Sequence, residues 1–308
     1  PIEQSIKRKI EAVGTPLKDW DINIYRGVLT GCNEAFIIST EKRDEILANC
    51  ETEEERARTS ELIRPILRGR DIKRYGYEWA NLYLIATFPA CRYDIDNYPA
   101  VKDYLVSFAE QNLRESGNNW VADLYLEDYC KQKLAQTGKF IEIKGKRIYI
   151  GNTAEKARKK TSNKWFETQD SISYWEDFYK PKIMYPNMTK FMPFYYDEKQ
   201  FFQNDKSFMI TGEHTAFLTA FLNSSIFKFC FIDNFPELLG GTRELRKIFF
   251  DKIPVLQVSD EVNNTFIPII ESIQMEYTYE KAKEVDSMIF DLYNLTLEER
   301  QVIGFVEF

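Results

Sequence analysis

The sequence predicts an α+β fold, and three patterns carry that expectation. Short β-prone runs such as Asn81–Phe88 and Ser207–Thr211 alternate with helical stretches over the first 257 residues. Thr215–Phe231 is apolar nearly all round, as a buried helix or helix pair is. From Ser259 onward the chain turns acidic and helical. With 308 residues, 44% hydrophobic and 15% aromatic, it can bury a sizeable core in one large or two modest domains.

The N-terminal Ile2, Ile6, Ile10 and Val13 recur at three- and four-residue steps, which predicts a helix ended by Gly14. The chain opens on Pro1 and reads as a piece of a longer protein, so residues 1–14 are expected to enter from an upstream domain, followed by a main domain at 15–257 and a helical element at 258–308. Trp20, Ile22 and Ile24 alternate into a strand, and Gly27, Gly31 and Asn33 punctuate a turn to a second strand at Ala35–Ser39. Thr40 can cap a helix over Glu41–Ala48. Thr52 with Glu55 makes a capping box for Glu53–Ile63, which Pro65 closes. Asn81–Phe88 is short and apolar enough to be a buried central strand, and Pro99 opens a helix striped by Val101, Leu105 and Phe108.

Beyond it, Gly117–Asn119 reads as a turn and Asp123–Ala135 as a helix. Phe140–Ile150 is a hairpin with Lys144, Lys146 and Arg147 at its tip. A basic linker, Gly151–Asn163, leads to the aromatic stretch Trp165–Tyr179, a strand at Lys180–Pro186, and short β-pieces at Phe194–Tyr196, Phe201–Gln203 and Ser207–Thr211. Gly240 and Gly241 make a hinge before a predicted helix at Thr242–Phe250, with Arg243, Arg246 and Lys247 on one face. Thr296 and Glu299 cap a last short helix.

The net charge of −7 disfavours phosphate binding only if the charges are mixed, and they are segregated. Residues 41–61 and 258–308 are dominated by acids. The stretch 139–164 holds Lys139, Lys144, Lys146, Arg147, Lys156, Arg158, Lys159, Lys160 and Lys164 against Glu142 and Glu155 alone. A second basic run, Leu62–Tyr75, carries Arg64, Arg68, Arg70, Lys73 and Arg74 against Asp71, with Pro65 and Gly69 turning the backbone. Such partition suits a one-faced binder; solvated lysine loops are the plainer alternative.

Several chemistries lack material. His214 is the one histidine, and the five cysteines have no short spacing for zinc or a disulfide framework, so reduced cytoplasmic thiols are expected. No phosphate-cradling GxGxxG or GxxxxGK[ST] loop is present, and no apolar run reaches the roughly 20 residues of a membrane span. Glu142-Ile143-Lys144 matches the ending of many magnesium nuclease sites, but it has no upstream acidic partner and such tripeptides are common.

A family resemblance joins these pieces. The order of a strand ending in Arg26-Gly27, the Thr30-Gly31-Cys32-Asn33 turn, Ala35–Ile38, an acidic helix and Pro65-Ile66-Leu67-Arg68-Gly69-Arg70-Asp71-Ile72 resembles the TaqI-like C-terminal specificity domain of restriction-modification enzymes. So does the later run of Trp165–Glu167, a tyrosine-rich segment, the Lys182-Ile183 strand and the Leu222-Asn223-Ser224 helix. The basic stretch 139–164 is long for the family's linker at this point. The resemblance implies a mixed-sheet target-recognition domain, distantly similar to type I specificity subunits, that reads double-stranded DNA for an adenine methyltransferase domain of the same parent chain. It further implies no catalysis in this chain: the parent would carry S-adenosylmethionine, whose glycine-rich loop and Asn-Pro-Pro-Tyr-type motif are not found here.

Candidate DNA contacts follow from side-chain chemistry, since Arg reads guanine, Asn reads adenine, and Lys or Thr hold phosphate. They are Arg68, Arg70 and Arg74 in the first basic loop, Lys144, Lys146 and Arg147 in the hairpin, and Lys159, Lys160 and Lys164 in the linker. Tyr185, Asn187, Thr189 and Lys190 after the Lys-Ile strand, and Arg243 and Arg246 beyond the double glycine, complete the set. The Arg-Gly-Arg-Asp unit has a second reading as scaffold, with Arg70 paired to Asp71 or a nearby carboxylate. The alternative function is a docking domain whose acidic helices bind a protein partner.

Overall fold

A computed structural model describes residues 1–305 apart from 113, 117–118, 123–135, 137–139, 144, 150–153, 157–161 and 191. The fold is α+β, with mostly antiparallel sheets and a parallel pairing of Ala154–Lys156 with Trp120–Ala122. The chain divides into two compact units, each assembled from separated stretches: Pro1–Gly27, Leu67–Ala80 and Glu176–Phe308 in the first, Val28–Ile66 and Asn81–Trp175 in the second.

The first unit is built on a four-stranded antiparallel sheet, in the order Tyr195–Asp197, Lys182–Pro186, Ser207–Gly212, Ile22–Arg26. Lys182–Pro186 lies inside the sheet and is buried at all five positions, so its residues face apolar neighbours on both sides. Strand alternation sorts them. Ile183 pairs with Tyr196 and Ile210, Ile210 with Ile24, and this row joins the main core with the helix Thr215–Leu222, in which every residue is buried. Met184, paired with Tyr195, faces the other way onto a smaller cluster of Leu67, Ile72 and Phe201. The first basic loop therefore rests on the face of the sheet opposite the helices.

On that second face lies a charged pair with no solvent exposure. Lys182 and Asp197 are register partners at 0% exposure each, with Nζ to Oδ2 at 2.5 Å. Desolvation makes such a pair tolerable only when the remaining hydrogen-bond capacity is met. Lys182 Nζ also donates to the Phe178 carbonyl at 2.8 Å, and Asp197 accepts from the backbone N–H groups of Lys199 at 3.0 Å and Phe201 at 2.9 Å.

On the helical face, Thr215–Leu222 packs against Asp260–Met275 and Tyr279–Leu292. Starts are capped as serine and threonine allow: Ser224, Ser259, Thr278 and Thr296 each accept an N–H from the residue three positions on. The Thr296–Glu299 box is reciprocal, and Glu299 also binds Lys9 Nζ of the N-terminal helix at 2.9 Å. Among the described residues no single helix is long and apolar enough to cross a membrane.

The second unit has Leu82–Ile85 between Ile63–Leu67 and Ile37–Ser39, the central placement the sequence predicts. The second strand starts later than expected, because Asn33–Phe36 is a helical turn. Thr30 Oγ1 accepts Cys32 N–H at 3.1 Å, and Ala35 and Phe36, both fully buried, do not alternate. Glu55 is buried, and its carboxylate serves two chain segments, taking Glu51 N–H at 2.7 Å rather than that of Thr52, and Ala100 N–H in the first turn of the helix Pro99–Gln111 at 3.3 Å. The hairpin is present as Phe140–Ile143 and Lys146–Tyr149 with Gly145 at φ 72°, which suits a two-residue turn. The expected turn at 117–118, the helix at 123–135 and much of the basic linker fall outside the described residues.

Close backbone approach ties the first basic loop to the sheet end. A Cβ on Gly69 would stand 2.4 Å from the Lys206 carbonyl oxygen, and Gly69 N–H donates to Asn204 Oδ1 at 3.1 Å.

Two stability tests follow. Lys182→Met should lower unfolding free energy by about 3–5 kcal/mol, because it strands a buried carboxylate, while Lys180→Met, at a pair with an exposed lysine, should stay within about 1 kcal/mol. Gly69→Ala should lower it by about 1–3 kcal/mol through overpacking. Urea denaturation of the three variants checks both statements.

Candidate nucleic-acid interface

The Arg-Gly-Arg-Asp unit divides its labour. Arg68 grips Asp71 in a two-point pair, Nε to Oδ2 at 3.0 Å and Nη2 to Oδ1 at 2.9 Å, and its own N–H donates to the same carboxylate at 2.8 Å. The hydrogen bond to Asp71 holds the Arg68 guanidinium above its ordinary pKa. Of the two readings of this unit, the scaffold role falls to Arg68 rather than Arg70. Arg70 is exposed and pairs with no acid among the described residues, and the same holds for Lys73 three residues later. Arg74 points inward: it donates to the Asn223 carbonyl and the Tyr277 hydroxyl, both at 2.7 Å, and stacks over the rings of Tyr75 and Tyr277.

Other segments meet this loop at the same end of the sheet. The Lys206 carbonyl that abuts Gly69 also accepts Asn187 N–H at 3.0 Å, and the Asn187 carbonyl accepts Leu245 N–H at 2.9 Å. Met188–Thr189 then pairs antiparallel with Arg243–Glu244. On the far side, Gly27 N–H donates to Ser207 O at 2.8 Å, which places Arg26 beside the Asn204–Lys206 turn. Hydrogen bonds between backbones thus bring loops from five sequence regions into one group, and the exposed cations on them include Arg26, Arg70, Lys190, Lys206 and Arg246. Arg246 keeps a 60% exposed side chain while its Nε holds Glu244 at 2.6 Å. Asn187 and Thr189 sit half-buried between them.

Some expected contacts lie elsewhere. Tyr185 is not in a loop; it is fully buried in the Lys182–Pro186 strand among Phe194, Phe208 and Phe250, with ring centroids 5.0 to 5.7 Å away, and burial drives its hydroxyl pKa far up. Arg243 is turned to the backbone, donating to the carbonyls of Ile232 at 3.1 Å and Phe235 at 2.8 Å. These bonds replace the predicted Thr242–Phe250 helix, of which only Lys247–Phe250 is helical, so Arg243, Arg246 and Lys247 share no helix face. Lys164 belongs to the second unit, exposed, with its ammonium 5.9 Å from the Phe166 ring. Lys146 and Arg147 occupy the returning strand of the hairpin, opposite Ile143 and Glu142. Lys144, Lys159 and Lys160 fall outside the described residues.

Lys206 and Arg26 are additions that the sequence reading missed. The Asn204-Asp205-Lys206 turn between two β-pieces was the available signal, since a lysine at a polar turn between strands is held outward. Among the described residues no group of His, Cys, Asp and Glu could hold a metal ion.

Comparison with known proteins agrees with this architecture. No curated protein sequence matches the chain. Among solved structures, the type IIG restriction endonuclease BpuSI is similar over 95% of this chain and 33% of its own, with 13% identity and a TM-score of 0.52. The type IIL restriction-modification enzyme MmeI, solved in complex with DNA, is similar over 94% of this chain and 34% of its own, with 10% identity and a TM-score of 0.52. The chain therefore spans about a third of the length of either enzyme. The family model of the TaqI-like C-terminal specificity domain matches residues 137–255, so this part of the chain is similar to that family.

Proposed function

We propose that the chain recognises a specific sequence in double-stranded DNA and positions a target adenine for a methyltransferase domain of the same parent enzyme. The observation that carries this reading is the gathering of Arg26, Arg70, Lys190, Lys206 and Arg246, with Asn187, at one end of the central sheet. Loops held by a rigid sheet end can follow a groove, cations on them can displace phosphate counterions, and an arginine without an internal partner can read guanine. The match of residues 137–255 to the model of a specificity-domain family supports the same reading. The chain itself would be non-catalytic. Methyl transfer, its S-adenosylmethionine cofactor and any cleavage would belong to the remaining part of an enzyme of the kind it resembles. A methyltransferase that acts on an adenine within a duplex must take the base out of the stack, so a domain that holds the flanking duplex sets which base is presented.

The division within the cluster assigns roles. Arg70, carrying five N–H donors in a planar fork, is the base-reading candidate; Lys190 and Lys206 are phosphate contacts. Selection of bound duplexes from a random pool at low and near-physiological salt should enrich one motif, and pools without enrichment at either salt would end the sequence-reading claim. Lys190→Ala and Lys206→Ala should each weaken binding to all sequences and reduce the salt slope by about 1, whereas Arg70→Ala should cost about 1–3 kcal/mol and relax the preference at one position. Equal salt slopes for all variants would remove these residues from the interface.

A further inference from the structure

The DNA reading leaves the hairpin between Phe235 and Leu245 unused. Both ends of this segment are anchored in the core, Phe235 at 0% and Leu245 at 3% exposure. Between them the chain rises and returns through a tight turn: Leu238 N–H donates to the Thr242 carbonyl at 2.6 Å, and Thr242 Oγ1 donates to the Leu239 carbonyl at 3.0 Å. Gly240 and Gly241 both adopt left-handed φ angles, 79° and 78°, which residues with a Cβ rarely take. At the apex stands Leu239, 98% exposed.

Single exposed leucines are ordinary on protein surfaces. What distinguishes this one is that the turn beneath it is braced. The Arg243 guanidinium donates to the carbonyls of Ile232 and Phe235 and pairs with Asp233 at 3.2 Å and Glu237 at 3.7 Å. The same contacts give each of the two acids at the hairpin base a guanidinium partner, which offsets one of their two negative charges. The hairpin continues the ladder with Met188–Thr189, in which Thr189 pairs with Arg243; the next positions in that register are Lys190 and Thr242. Lys190, a cation of the cluster described above, thus follows directly on the strand that pairs with the base of this hairpin. The apolar area at the apex is narrow: Leu238, 40% exposed, stands beside Leu239, and Gly240, Gly241 and Thr242 complete the turn.

We infer that Leu239 is an apolar wedge that enters a base step of the bound duplex, held by the Gly240–Gly241 turn and seated by phosphate contact at Lys190. The inference rests on the DNA reading. Leucine is among the side chains able to part stacked bases, and a braced tip gives up little conformational freedom on insertion. Insertion would also make the duplex bend or unstack beside the recognised sequence, which lowers the work of taking a neighbouring base out of the stack.

The test uses the 308-residue chain, its Leu239→Ala variant and the duplex recovered by selection, with 2-aminopurine placed in turn at each position. The wild-type chain should raise 2-aminopurine fluorescence at one step. Leu239→Ala should abolish that rise and weaken binding about tenfold, the loss expected for exposing one leucine, at an unchanged salt slope. Unfolding should be unaltered, since the side chain touches nothing in the free protein. Equal binding and equal fluorescence for variant and wild type would overturn the wedge while leaving DNA recognition intact. A wild-type chain that recovers no duplex at all would overturn both, and tip-dependent capture of a second copy of the chain instead would assign Leu239 to protein contact.

Discussion

The Lys182–Asp197 pair is the constraint on which the first unit depends. An ion pair without solvent contact tolerates no drift, because each charge must keep its partner and its backbone hydrogen bonds simultaneously. Here those bonds reach in two directions, to the Phe178 carbonyl before the strand and to the N–H groups of Lys199 and Phe201 after it. The pair lies on the sheet face where Leu67, Ile72 and Phe201 cluster, and this cluster seats the first basic loop. A position chosen by electrostatics between an edge strand and its neighbour therefore fixes the outer loop by packing. The opposite face, packed on wholly buried helix, leaves the sheet no freedom to tilt in response.

Much of the fold was legible because its signals are local. The N-terminal helix, the central strand at Leu82–Ile85, the hairpin at Phe140–Tyr149 and the Thr296–Glu299 cap each follow from periodicity or from a capping residue within a few positions. Where the reading failed, a distant partner decided. Arg243 is drawn to carbonyls at Ile232 and Phe235, and Leu245 N–H to Asn187, so a segment with helical spacing of cations became extended. Helix propensity is worth tenths of a kcal/mol per residue, and buried backbone hydrogen bonds outweigh it. Asn33–Phe36 turned helical for a related reason, since Thr30 supplied an oxygen to the turn before a strand could begin.

The candidate site was legible in its chemistry and not in its geometry. Sequence identified the basic loops, but burial sorted their members: Arg68 and Arg74 work inside the fold, Arg70 does not, and Tyr185 fills the core. No sequence signal says which of three arginines at two- and four-residue spacing finds the acid. The interior of the Arg-Gly-Arg-Asp unit was settled by Gly69 pressing onto the Lys206 carbonyl, which orients the residues on either side of it. The same contact reveals Lys206, invisible to a reading that looked for clusters of charge rather than for a lone lysine on a turn.

Within eight residues, the first basic loop keeps two kinds of position. Residues 68, 69, 71 and 74 each have a duty in the fold: a carboxylate to hold, a carbonyl to lie against, a helix turn to bind. Residues 70 and 73 have none. A change at either of those two leaves the architecture as it was and alters only what the surface offers. A lineage of such chains can therefore drift from one outer surface to another through single replacements, without passing through an unfolded ancestor.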